Sequence, residues 1–290
     1  MKKILITGKN SYIGTSFEKY IKENFDGYVV DTIDMIDGSW RNTSFSGYDS
    51  VFHVAGIAHS DNGKISEEKE KLYYSVNTEL TIETAKKAKE DGVKQFVFMS
   101  SAIVYGDSAP IGKVKMITKD TPVTPANCYG DSKVQAENGI LPLNDDSFSV
   151  VIIRPPMIYG KGSKGNYPLL SKLALKLPFF PYVKNERSML YIENLCEFVR
   201  LMVENEEQGI FWPQNKKYSN TSELVKKIAD VHGKKICLIK GFGWALRVVA
   251  HITGLVNKAF GNLTYDAKIS TYKSDYCIYS LEQSIEKTEN

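Results

Sequence analysis

Short apolar runs and stretches of helical spacing alternate along the first half of the chain. Lys3 to Thr7 is a β-rich apolar run that stops at Gly8, and Ser16 to Glu23 then sets Phe17, Tyr20 and Ile21 at helical intervals. The rhythm continues with Tyr28 to Ile33 and Ser50 to Val54 as strands, Val76 to Glu90 as a helix, and Gln95 to Met99 and Phe148 to Ile153 as further strands. Apolar strands separated by helices predict an α/β fold, a parallel sheet covered on both faces. Such sheets bind ligands at the carboxyl ends of their strands, so the residues just after each strand are where chemistry is expected.

Beyond Arg154 the pattern loosens into a Pro-, Gly- and Lys-containing loop, Pro155 to Lys164. Helical spacing resumes at Leu169 to Leu175, Glu193 to Glu204 and Ser222 to His232. This part reads as a smaller lobe interleaved with the first domain. Trp244 to Ala259 carries apolar residues at helical intervals and predicts a lobe helix buried on one face, with a membrane-surface or partner-binding helix as the alternative. Ser280 to Asn290, rich in Glu, Lys and Ser, reads as a frayed tail. No run reaches the roughly 18 uninterrupted apolar residues of a membrane span.

Composition narrows the picture. The 290 residues are 42% hydrophobic and 24% charged, as in an ordinary globular chain. Lys plus Arg number 37 against 34 acids, so a net charge of +3 gives no warrant for nucleic-acid binding or strong attraction to a membrane surface, while small anionic ligands remain open. Cys128, Cys196, Cys237 and Cys277 lie far apart with no Cys-x-x-Cys pair, so neither a metal site nor a disulfide framework is expected. The opening apolar run is too short for a secretory signal, and a cytoplasmic protein is expected.

Three motifs carry candidate chemistry. The first strand feeds Gly8-Lys9-Asn10-Ser11-Tyr12-Ile13-Gly14, a glycine-rich turn at a helix N-terminus, where backbone N–H groups and the helix dipole hold a pyrophosphate. Ser11 stands where the usual pattern has its middle glycine. The second strand reads Val30-Asp31-Thr32-Ile33-Asp34, and an acid at its end receives adenosine ribose hydroxyls; Asp34 is the first candidate and Asp31 the second. That choice favours NAD over NADP, although Arg41 could reach a 2′-phosphate. The strongest signal is Tyr129-Gly130-Asp131-Ser132-Lys133 with Ser101 after the strand Gln95 to Met99. Tyrosine and lysine at i and i+4 share a helical face, where an ammonium lowers the phenol's pKa, and a serine hydroxyl bonds the oxygen that the tyrosine protonates.

With these pieces the chain resembles the extended short-chain dehydrogenase/reductase family, the NAD-dependent epimerase/dehydratase group, in its nucleotide-sugar branch. His53-Val54-Ala55-Gly56, Asn77, Met99 to Gly106, Arg154-Pro155-Pro156-Met157-Ile158-Tyr159-Gly160 and Arg187 to Ile192 carry the likeness. The resemblance implies a Rossmann-type doubly wound parallel sheet, residues 1–155 and 187–212, with a substrate-binding lobe, 156–186 and 213–290. It implies NAD or NADP held by Gly8, Ser11, Tyr12, Ile13, Gly14, Asp34, Val54, Ala55, Gly56, Asn77, Tyr129, Lys133 and Pro156. Ser101, Tyr129 and Lys133 are then catalytic, and Ser101, Asn166 and Arg187 meet a UDP-sugar, the arginine on its diphosphate. His53 is read as a core or cofactor-rim histidine, and His59 is a candidate sugar contact. A homodimer is also implied; nucleic acid is not.

Dehydratases of this branch place an acid pair directly after the catalytic Ser or Thr, where this chain has Ala102 and Ile103, so dehydration is not expected. The resemblance runs furthest to capsule and O-antigen 4-reductases acting on UDP-2-acetamido-2,6-dideoxy-4-hexuloses, in bacterial surface polysaccharide biosynthesis. It rests on Arg154 to Gly160, Gly165-Asn166, Arg187 with Leu190 to Ile192, and Phe260 to Tyr265. A UDP-glucose or UDP-N-acetylglucosamine 4-epimerase is the alternative, and a non-catalytic dinucleotide-binding regulator a third reading.

Overall fold

The computed structural model describes all residues except 59–64, 243–245 and 247–253. In chain order its elements are β1 (Lys2–Thr7), α1 (Tyr12–Asn24), β2 (Tyr28–Ile33), β3 (Ser50–His53), α2 (Glu67–Tyr73), a π-helical turn (Tyr74–Glu79), α3 (Leu80–Glu90) and β4 (Gln95–Met99). There follow β5 (Met116–Ile117), α4 (Cys128–Ile140), β6 (Ser149–Ile153), β7 (Met157–Tyr159), α5 (Asn166–Lys176), β8 (Phe179–Pro181), β9 (Met189–Tyr191), α6 (Ile192–Glu204), β10 (Gly209–Phe211), α7 (Thr221–Val231) and β11 (Cys237–Ile239).

Two compact units result: residues 1–106, 123–155 and 195–213, and residues 107–122, 156–194 and 214–290. The first contains a six-stranded sheet of order β10-β6-β4-β3-β1-β2 in which every pairing is parallel. Val51, Phe52, Phe96, Val97, Phe98 and Val150 to Ile153 are all buried, which is why these strands are apolar throughout rather than alternating. The strand order reverses beside β1, between β2 and β3, and so creates a crevice at the carboxyl ends of β1 and β3. The expected α/β class and parallel sheet are present.

The second unit has three parallel two-stranded pairs, β7·β9, β8·β11 and Met116–Ile117 with Thr264–Tyr265. Its interior is aromatic: the Tyr159 ring stacks on Tyr167 at 5.2 Å and meets Tyr191 at 5.7 Å. The expected frayed tail is instead a helix, Leu281–Glu289. Ser280 and Gln283 form a capping box at its start, Ile285 is buried, and Ser284 Oγ bonds the Tyr159 hydroxyl at 2.5 Å. Of the expected helix from Trp244 to Ala259, Gly254–Phe260 is helical and most of the remainder lies outside the described residues, as does His59.

Candidate active site

β1 stops because Gly8 turns out of the extended region at φ +103°. A side chain here would also place a Cβ 2.8 Å from the Ala55 backbone nitrogen, so only glycine lets the β1 and β3 exits run together. The turn is then fixed by Gly8 and Lys9 N–H donating to Ile33 O, at 3.1 and 3.2 Å. Ser11 is the N-cap of α1, its hydroxyl accepting from Gly14 N–H at 3.2 Å. The departure at Ser11 therefore closes the helix start, and the first-turn N–H groups of Tyr12 and Ile13, which have no intrahelical acceptor, point along the helix axis. Val54 N–H donates to Thr7 O, tying the two exits together.

The two candidate ribose acids separate. Asp31 lies within β2, opposite Leu5, and accepts from the Tyr48 hydroxyl at 2.9 Å. Asp34 follows the strand's carboxyl end, where its Oδ1 takes the Ile36 N–H at 2.8 Å. Arg41 turns to Glu83, donating from Nε and Nη2 at 2.5 and 2.6 Å.

Beyond β3, His53 is fully buried between Thr7 Oγ1 (2.7 Å) and Thr81 Oγ1 (3.0 Å). Burial, helped by the charge of Lys133, pushes its pKa down to about 3, so the ring is a neutral core group. Asn77 is also fully buried and clamps the next loop: Ile57 N–H donates to its Oδ1 at 2.9 Å, and its Nδ2 donates to Ile57 O and Ser132 Oγ, each at 3.1 Å. It sits in the π-helical turn, whose Tyr74 hydroxyl donates to Asp131 Oδ2 and whose Thr78 hydroxyl donates to Ser132 O. Gly56 lies against this turn and against Lys133, its Cβ direction meeting the ammonium at 3.4 Å.

Ser101 is extended and caps a short 3₁₀ turn, Ala102–Tyr105; its Oγ accepts from Ile103 N–H at 3.2 Å and its side chain hydrogen-bonds Tyr129. The accepted N–H fixes the serine rotamer, which leaves its hydroxyl hydrogen for the tyrosine oxygen. α4 begins at Asn127, whose side chain caps Gly130, and its first turn brings the Tyr129 ring to 5.9 Å from Tyr73. Burial raises the Tyr129 pKa above that of an ordinary phenol, opposed by the Ser101 bond. Here the structure revises the expected electrostatics. Lys133 shares the helical face, but its ammonium donates to Met99 O at 3.0 Å and lies over the Phe98 ring at 4.6 Å. Its own pKa falls to about 8 through burial, partly restored by Glu137.

Glu137 is the residue the sequence reading missed. It continues the i, i+4 series Tyr129, Lys133, Glu137 and is buried in a bidentate pair with Arg154, at 3.1 and 2.5 Å, while Ser100 Oγ donates to it at 2.5 Å. Arg154 also donates to the Tyr105 hydroxyl, as does Trp212 Nε1. This network pins both neighbours of Ser101, because Ala102 N–H also donates to Pro155 O at 2.8 Å. Pro156 follows directly and is buried.

In the second unit, Asn166 and Arg187 line one cavity with Met189, Ser219, Thr221 and Lys258. Arg187 Nη1 donates to Lys258 O (2.8 Å) and Gly261 O (3.1 Å), and burial lowers its pKa to about 10, leaving it cationic at neutral pH. Among the described residues no group of His, Cys, Asp or Glu could hold a metal ion. The first unit's residues fit a dinucleotide: a glycine cradle that a Cβ would fill, the Tyr12 and Ile13 N–H groups without an intrahelical acceptor, and a carboxylate after β2.

The sequence profile of the NAD dependent epimerase/dehydratase family matches residues 4–212. The chain is 30% identical to a UDP-glucose 4-epimerase of Vibrio cholerae over 91% of its length and 87% of that protein. It is 26% identical to an N-acetyl-alpha-D-glucosaminyl-diphospho-ditrans,octacis-undecaprenol 4-epimerase of Escherichia coli O157:H7, over 98% of this chain and 93% of that one. In fold it is similar to a dTDP-4-dehydrorhamnose reductase of Bacillus anthracis str. Ames solved with NADP, with a TM-score of 0.72, 18% identity and 99% of each chain covered.

Proposed function

The chain belongs to the NAD dependent epimerase/dehydratase family, and from that premise we propose that it reduces the C4 keto group of a UDP-2-acetamido-2,6-dideoxy-4-hexulose. The observation that carries reduction is the state of Tyr129. Burial holds its phenol protonated, with Ser101 on the same oxygen, and a keto reduction needs a proton donor at that point. The absence of a carboxylate at Ala102 and Ile103 removes the acid–base pair that dehydration requires.

A nicotinamide dinucleotide supplies the hydride when bound. Gly8, Ser11, Tyr12, Ile13 and Gly14 form its pyrophosphate cradle, with Val54, Ala55 and Gly56 alongside, and Asp34 receives the adenosine ribose. Arg41, committed to Glu83, leaves no guanidinium turned toward a 2′-phosphate, which favours NAD. Tyr129 donates its proton to the sugar oxygen as Ser101 hydrogen-bonds that oxygen and stabilises the developing alkoxide. Lys133, whose ammonium sits on Met99 O, is cationic at neutral pH and favours the phenolate left after proton transfer. Arg187, cationic in its cavity, holds the diphosphate, where planar donors match phosphate oxygens.

A 4-epimerase is the second reading, favoured by the activities of the two curated relatives. The deciding experiment follows NADH and NADPH absorbance while the purified protein turns over a UDP-4-keto-6-deoxy-N-acetylhexosamine. Stoichiometric oxidation of NADH is expected. Interconversion of UDP-hexoses with no net cofactor consumption would replace the reductase by the epimerase.

A further inference from the structure

The net charge of +3 conceals a segregation. The first unit holds 16 Lys and Arg against 23 Asp and Glu, a balance of −7, and the second holds 21 against 11, a balance of +10. Within the second unit no acid occurs in 156–185 or in 231–265, which contain five basic residues each. A diphosphate-linked sugar calls for one or two of these charges.

The two acid-free segments meet in the β8·β11 pair. Phe180 of β8 is buried against Phe260, their rings 5.6 Å apart, so alternation turns Phe179 and Pro181 to the opposite face, together with their register partners Cys237 and Ile239. Phe179 is 57% exposed, Phe242 50% and Leu175, at the end of α5, 42%. Lysines border these apolar groups. Lys176 follows Leu175, Lys234 donates to Leu175 O, Lys235 precedes β11, and Lys240 lies over the Tyr182 ring at 5.9 Å. Large apolar side chains exposed among cations, in segments that carry no acid of their own although Glu289 meets Ser171 and His232, form an interaction surface.

We propose that this face of the second unit docks on an anionic phospholipid bilayer. The lysines approach the headgroup phosphates while Phe179, Phe242 and Leu175 enter the boundary between headgroups and acyl chains. A nucleic acid would satisfy the lysines but would leave those apolar groups in water. Among the described residues no helix is long and apolar enough to cross a membrane.

The test is flotation of the purified full chain with vesicles of phosphatidylcholine alone and of phosphatidylcholine mixed equally with phosphatidylglycerol. Binding is expected to the mixed vesicles only and to weaken with salt. The triple variant K176Q/K235Q/K240Q should lose about a hundredfold in vesicle affinity, at roughly fivefold per lysine. Its turnover of a soluble substrate should stay unchanged, which shows that it folds. F179S/F242S, with every charge kept, should lose about tenfold. No binding to mixed vesicles overturns the proposal. So does equal binding to heparin with no effect of F179S/F242S, which would make the patch a polyanion surface.

Discussion

Lys133, Glu137, Arg154 and His53 of the first unit are buried and each has a partner within that unit, whereas Lys161, Lys164, Lys172, Lys176, Lys184, Lys235 and Lys240 of the second stand exposed. In the first unit charge is a positioning device: each ionic group is held at one orientation, near the carboxyl ends of a sheet that cannot shift without breaking several bonds. In the second it is largely a field, spread over elements of three residues or a few turns, with Arg187 and Glu289 enclosed. One unit is built to fix atoms and the other to attract anions. Substitutions should therefore act on turnover and stability in the first, and on affinity in the second.

The sharpest break of that contrast is Tyr129→Phe. Turnover should fall about 10³-fold, near the middle of what a general acid contributes, with the nicotinamide dissociation constant unchanged in fluorescence titration. Unaltered turnover would remove the chemistry from the first unit. Glu137→Ala leaves Arg154 buried without its carboxylate and should cost about 3–4 kcal/mol in urea unfolding, while Glu137→Gln, which keeps one acceptor oxygen and fills the space, should cost less.

His53 supplies a pH-dependent probe of the same unit. Its folded pKa of about 3 lies below the ordinary 6.5, so the unfolded chain takes the proton first as pH falls. The stability it contributes is complete above pH 6.5 and is lost progressively toward pH 3. Between about pH 6.5 and 5 this removes about 2 kcal/mol, at 1.4 kcal/mol per unit. Urea midpoints of the wild type and His53→Gln should converge over that range, and a constant offset would show that the ring is not the titrating group. For the second unit, Arg187→Ala should raise KM about tenfold with kcat within about twofold. An equal fall in kcat would make Arg187 part of the chemical step. Ser280→Ala removes a helix cap and should cost about 1 kcal/mol with kinetics unaltered.

Strands of five or six residues were legible: β1, β4 and β6 because burial on both faces writes itself as an unbroken apolar run, and the edge strand β2 from its β-rich Tyr28-Val29-Val30. The three-residue β10, Gly209–Phe211, was not, since nothing local distinguishes it from a loop until β6 offers an edge. In the candidate site, the spacing of Tyr129 and Lys133 fixed their shared face. Where the ammonium ends depends on Met99 O and Phe98, more than thirty residues upstream. Glu137 was readable as the next i+4 position, but only the Arg154 contact gives it meaning. The terminal helix advertised itself in Ser280 and Gln283, and charge-rich composition hid it. Net charge concealed the segregation for the plainest reason: two opposite balances average nearly to zero.

The π-helical turn at Tyr74–Glu79 bears on how this chain can change over generations. Such a turn is an α-helix carrying one surplus residue. Deleting that residue would heal the hydrogen-bond ladder locally yet rotate Glu67–Tyr73 against Leu80–Glu90 by about 100°. Tyr73 and Asn77 could then no longer face Tyr129 and Ile57 together. Descendants of this sequence can swap side chains along the helix far more readily than they can alter its length, and a spacing of four between Tyr73 and Asn77 should outlast the identity of most residues around it.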